Sequence, residues 1–174
     1  LAATLELPRG GAALGDHGAR RDLTQSLAEG VAEHVRDVRR RLGGVTDMVV
    51  QVDEPVLPAV LAGQVPTASG FGTHRRVDRP EASDLLRVVC DAVSGAGAEP
   101  VVHCCAPDFP IDLVRGAGAA GVAVDLDVLD AAGLDRLAEA VEQGDRVLLT
   151  CLATAGAPAT KEMVLERVSR LFDM

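Results

Sequence analysis

The 174-residue chain carries 17 Lys and Arg against 26 Asp and Glu, for a net charge of -9. That balance argues against nucleic acid, whose phosphates need a concentrated basic surface, and with 2% aromatics and neither Trp nor Tyr there is no platform for stacking unpaired bases. No apolar run approaches the roughly 18 residues that span a bilayer, and 48% hydrophobic with 25% charged residues is the composition of one globular domain with a Leu, Val and Ala core, spanning 1–174.

Along the chain, Leu23, Leu27, Val31, Val35, Val38 and Leu42 recur at spacings of three and four. They predict one face of a long helix that ends at Gly43-Gly44. Arg36, Arg39, Arg40 and Arg41 fall on the same segment, interleaved with acidic residues as on a solvated face. The stretch 47–53 then reads as a short buried strand, stopped by Pro55 and Pro58, and Val56 to His74 as a long loop. Its glycines, Gly70 and Gly72, do not lead from a strand into a helix, so they form no dinucleotide fingerprint. Residues 81–93 are helical, with Leu85, Leu86, Val89 and Val93 inward, and 100–103 form a second strand. Asp108 is placed to cap a short helix carrying Ile111, Leu113 and Val114. A third strand covers 121–125, and Leu134, Leu137, Ala138 and Val141 mark the next helix face. The fourth strand, 146–150, precedes a terminal helix marked by Val164, Val168 and Leu171. Strands apolar throughout and separated by helices imply parallel pairing with both faces covered. The expected fold class is α/β: either an open sheet or part of a (β/α)8 barrel, a whole barrel needing about 250 residues.

Reactive groups gather where strands end. Asp53 and Glu54 follow the first strand, His103 to Cys105 the second, Asp125 and Asp127 the third, and Cys151 the fourth. In both architectures the carboxyl ends of parallel strands converge on the functional site. Alternate residues of an extended segment share a face, so His103-x-Cys105 can offer an imidazole nitrogen and a thiolate to one ion. That soft donor pair, with a carboxylate nearby, selects zinc. Cys104 and Cys105 also suit small core residues, and His103 a satisfied buried histidine. Asp53-Glu54-Pro55 also suits a turn, and Asp125 or Asp127 a helix cap. Cys90 reads as core; His17, His34 and His74 read as surface or loop residues. Four cysteines, two of them adjacent, are too few for a disulfide scaffold, and the first residues lack the basic start of a signal peptide. The chain is expected to be cytoplasmic with reduced thiols.

The segment Gln51-Val52-Asp53-Glu54-Pro55-Val56-Leu57, followed downstream by His103-Cys104-Cys105, resembles the ordered D-E-P and H-x-C motifs of cobalamin-independent methionine synthase, over about residues 47–125. The resemblance implies a (β/α)8 barrel that uses zinc to bind the thiol of homocysteine, or of a similar small thiol, and transfers to it a methyl group from a methylated folate. It makes His103 and Cys105 zinc ligands, puts Asp125 where the family has a glutamate ligand, and gives Asp53, with Glu54 beside it, to substrate binding through the homocysteine amino group. The family's last zinc cysteine would lie downstream of the terminal helix, and its catalytic histidine has no counterpart where Cys151 and Thr154 stand. The absent closing strand leads to the expectation that further residues or a second chain complete the barrel. Two alternatives stay open: a related barrel methyltransferase taking its methyl group from a corrinoid protein, and a non-catalytic binding module.

Overall fold

The computed structural model describes residues 1–8, 11–44, 47–149 and 160–169. A small antiparallel hairpin, β1 (Glu6–Leu7) and β2 (Gly11–Ala12), opens the chain. The long helix α1 (His17–Leu42) follows, its first turn capped by Asp16 Oδ1, which accepts from the Ala19 amide at 2.7 Å, and it ends at Gly43 as the Gly-Gly pair predicts. Four parallel strands then alternate with helices: β3 (Val49–Asp53), α2 (Leu57–Ala62), α3 (Arg79–Gly95), β4 (Glu99–Cys104), α4 (Ile111–Gly116), β5 (Gly121–Val124), α5 (Ala131–Glu142), β6 (Arg146–Leu149) and α6 (Lys161–Ser169).

The strands lie side by side in the order in which the chain makes them, β3-β4-β5-β6. Crossovers between parallel neighbours are right-handed, so a sheet that never reverses its order receives its helices on one face. The packing follows this rule. Val102, Cys104, Val122 and Val124 form one core with Leu86 and Cys90 of α3, Ile111 and Val114 of α4, and Leu137 and Ala140 of α5. A second cluster joins Ala32 and Val35 of α1 to Val93 of α3, with Val50 of β3 packed against it. Each fully buried valine stabilises the fold by roughly 1.5–3 kcal/mol relative to leaving it in water. The opposite sheet face carries the alternate residues. Val101 and Ala123 are fully buried at its centre, while Val49 and Leu148 on the outer strands are 41% and 38% exposed.

Gly121 is required by close backbone approach. A Cβ built there would lie 2.2 Å from the Arg146 carbonyl oxygen and 2.7 Å from the Arg146 Cβ. Without a side chain at Gly121, the Arg146 guanidinium reaches past β5 to Glu99 on β4, with Nη2 and Oε2 2.7 Å apart.

Several expectations need correction. The segment 56–74 is not all loop: Pro58 sits in the first turn of α2, where its missing amide has no helical partner to lose. Asp108 does not cap α4; it occupies a turn with φ of 59°, and Pro110 precedes the helix without a side-chain cap. The buried side of α5 is Gly133, Leu137 and Ala140, leaving Val141 56% exposed, and the buried stripe of α1 is Ala28, Ala32 and Val35. The arginines of α1 lie on an exposed face as expected, Arg40 and Arg41 pairing with Asp37, while Arg39 donates to the Gly97 carbonyl after α3. No helix among the described residues is long and apolar enough to cross a membrane.

Candidate functional site

Parallel register places the strand ends in rows. Asp53, His103, Ala123 and Leu148 are successive partners across β3, β4, β5 and β6, so all four lie at one level of the face away from the helices. Within that row the Asp53 carboxylate and the His103 ring meet, with Oδ1 2.8 Å from Nδ1. Gln51, two residues earlier on the same face, donates from Nε2 to the same Oδ1 at 2.8 Å. These two hydrogen bonds, Gln51 first and His103 second, hold the Asp53 carboxyl below its ordinary range.

The protons in this chain of contacts can be assigned. An ionised carboxylate is an acceptor only, so Nδ1 of His103 carries the hydrogen and donates it to Asp53. In the neutral ring the lone pair is then on Nε2. That nitrogen is buried and has no hydrogen-bond partner among the described residues, an arrangement that is costly unless a ligand completes it. A carboxylate on one ring nitrogen with the other left bare is the pattern around metal-binding histidines, where the carboxylate fixes both tautomer and ring orientation.

The cysteines separate as strand alternation requires. Cys104 turns into the helix-side core, 1% exposed, and burial raises its thiol above the ordinary value. Cys105, just past the strand, is exposed. Of the readings open for the H-C-C triplet, the core reading holds for Cys104 alone; Cys105 is outside the core, and the His103 ring has one nitrogen without a partner among the described residues. Cys90 is core, 1% exposed, its thiol pushed up to about 11 by burial and by the neighbouring Asp91 charge.

Asp125 directly follows β5, and the pairing of Cys104 with Val124 brings Cys105 and Asp125 one step beyond two adjacent strand ends. Asp125 Oδ1 accepts from the Asp127 amide at 3.0 Å and so caps a short 3-10 turn, Leu126–Val128. Asp130 caps α5 through the Gly133 amide at 2.7 Å. Among the described residues no group of three or more His, Cys, Asp and Glu side chains is assembled to hold a metal ion. The donor set present, one bare imidazole nitrogen with a free thiol two residues on, nonetheless suits zinc chemically. Cys151 and Thr154 lie outside the described residues.

Glu54 is not brought to the Asp53–His103 level. Its amide donates to the His103 carbonyl at 2.8 Å, extending the β3–β4 ladder by one bond, while its side chain enters an apolar cavity between β3, α2 and α3. Burial raises its carboxyl above the ordinary 4.5, against a smaller opposing pull from the Leu1 amino group. Sequence reasoning named Gln51 only as part of a motif and missed its contact with Asp53. The signal was there: residues i and i+2 of a strand share a face. No family model matches this chain, and no curated protein matches it.

Proposed function

We propose that this chain is the thiol-activating part of a zinc-dependent methyltransferase, which transfers a methyl group from a methylated folate to the thiol of homocysteine or a similar small thiol. The observation that carries the reading is His103: its Nδ1 is held by Asp53, its Nε2 is buried and without a partner among the described residues, and Cys105 follows at the same strand end. The sequential parallel order supports membership of a (β/α)8 barrel, since a doubly wound sheet reverses its strand order. In a closed barrel, further strands would pair with the outer edges of β3 and β6.

In this reading His103 Nε2 and the Cys105 thiolate hold the metal, and Asp125 is the carboxylate closest in strand order. Zinc bound there supplies a positive charge that keeps a substrate thiol in its thiolate form at neutral pH. Asp53 orients the imidazole through Oδ1. Its Oδ2 makes no hydrogen bond among the described residues, and the side chain is 62% exposed, so it can accept the substrate ammonium in a charge-assisted bond. Gln51 steadies Asp53 in that double task.

Calorimetric titration of homocysteine into the zinc-loaded chain tests the proposal. Binding should release a proton from the thiol, and His103→Ala and Cys105→Ser should both abolish it. Tight homocysteine binding that persists in both variants, or is equal without zinc, would overturn the assignment. A methyl-transfer assay then separates donors: turnover with a methylated corrinoid and none with a methylated folate would favour the related corrinoid-linked chemistry.

A further inference from the structure

A second site lies on the other side of the sheet. A partly open pocket of about 120 Å³ is lined by Val52, Leu57, Val60, Val77, Leu86 and Val89, among other apolar residues, and Glu54 is the one acidic residue in its wall among the described residues. Two features of this space are unresolved by the protein itself. It is an apolar pocket partly open to solvent, whose lining side chains lack the contacts that a packed neighbour would supply. It also holds a carboxyl group for which no hydrogen bond occurs among the described residues. Neither nearby cation resolves it: the Leu1 amino group, also in the wall, forms no hydrogen bond or ion pair with Glu54 among the described residues, and Arg20 is committed elsewhere. Its Nη1 donates to the Leu14 carbonyl at 2.6 Å, and its Nε and Nη2 to Glu81 Oε1 at 2.9 and 2.6 Å.

One kind of molecule answers both defects. We infer that this cavity is a binding site for a small aliphatic primary amine, whose ammonium group pairs with the Glu54 carboxylate while its alkyl chain fills the space among Val52, Leu57, Val60 and Leu86. The size sets the length of the chain. An apolar cavity of about 150 Å³ accepts a benzene ring, so a volume of this order takes about four to five carbons. The chemistry sets the head group: a carboxylate accepts from all sides and gives nothing, so it selects a donor, and a cationic donor above a neutral one. The site is independent of the zinc proposal, for it opens on the helix side of the sheet and shares no side chain with the Asp53–His103 row.

The probe is isopentylamine, with isopentanol as its neutral analogue, followed through the methyl resonances of the Val and Leu residues of the zinc-free chain. Saturable shifts centred on Val52, Val60 and Leu86 are expected from the amine, with the alcohol at least tenfold weaker. Glu54→Gln should weaken the amine at least tenfold and leave the alcohol nearly unchanged. Circular dichroism of that variant establishes that it is folded, and Glu54→Leu, which fills part of the space with an apolar side chain, should bind neither. No saturable binding of the amine, equal affinity for amine and alcohol, or undiminished binding to Glu54→Gln would each overturn the inference. Shifts confined to residues beside Asp53 would do so as well, by placing the ammonium on the opposite face.

Discussion

Replacing Gly121 with alanine asks whether β5 and β6 are the parallel neighbours on which the strand-end site depends. The added Cβ would stand 2.2 Å from the carbonyl oxygen, 2.9 Å from the carbonyl carbon and 2.7 Å from the Cβ of Arg146. Two of those three atoms are backbone, so no rotamer change relieves the contact and the strands must separate. Overpacking a well-packed site costs about 1–3 kcal/mol, and a clash with backbone belongs at the top of that range. At about 2–4 °C per kcal/mol for a chain of this size, about 3 kcal/mol lowers Tm by about 6–12 °C. With no Trp or Tyr present, the assay is urea and thermal unfolding followed by far-ultraviolet circular dichroism. Gly30→Ala is the control, because Gly30 lies inside α1 with nothing within 4 Å of an added Cβ. The same substitution there should stabilise by about 0.5–1 kcal/mol through helix propensity alone. Opposite signs at the two positions are expected. A neutral Gly121→Ala would mean that β6 does not pack against β5 as described, and the row from Asp53 to Leu148 would lose its last member.

Removing the α1 cap by Asp16→Ala should cost about 1 kcal/mol in the same unfolding assay, because the Ala19 amide loses its acceptor. Glu54→Leu should stabilise the chain at neutral pH by about 1–3 kcal/mol, the cost of a buried group without a partner. The sign with pH follows from a raised folded-state value: the contribution of Glu54 is fully present below pH 4.5 and lost as pH rises through the folded pKa, so the gain from Glu54→Leu should grow above pH 4.5 in denaturation series. Asp53 has the opposite sign, with stability present above pH 3.8 and lost as pH falls through its lowered value, so Asp53→Asn should lose less on acidification. Long-range proton–nitrogen spectra should find His103 protonated on Nδ1 in the parent, and as a tautomer mixture in Asp53→Ala.

Much of the architecture was readable because parallel strands buried on both faces are short continuous apolar runs, as at 100–103 and 121–125, and glycines mark where the helices between them stop. Pro58 was misleading because proline both stops a strand and opens a helix from its first turn; only the following Ala-Val-Leu-Ala separates the two cases. The faces of α1 and α5 turned toward alanine and glycine, because a helix seated closely on its neighbours buries small residues where large ones were expected. Alternation suggested a shared face for His103 and Cys105, but β4 ends at Cys104, so it fixes only the opposite placing of His103 and Cys104. The bond between Asp53 and His103, fifty positions apart in sequence, was not readable, since it depends on the register of β3 against β4. Nor was the separation of Asp53 from Glu54 drawn, although adjacent residues of a strand end face opposite ways.

The central claim is that His103 and Cys105 together hold zinc, and X-ray absorption at the zinc edge of the zinc-loaded chain tests it most directly. The expected result is tight zinc at one equivalent, with a sulfur neighbour at about 2.3 Å and an imidazole nitrogen at about 2.0–2.1 Å. Cys105→Ser should remove the sulfur and His103→Ala the imidazole scattering. A shell of oxygens alone, or one unchanged by either substitution, would contradict the claim.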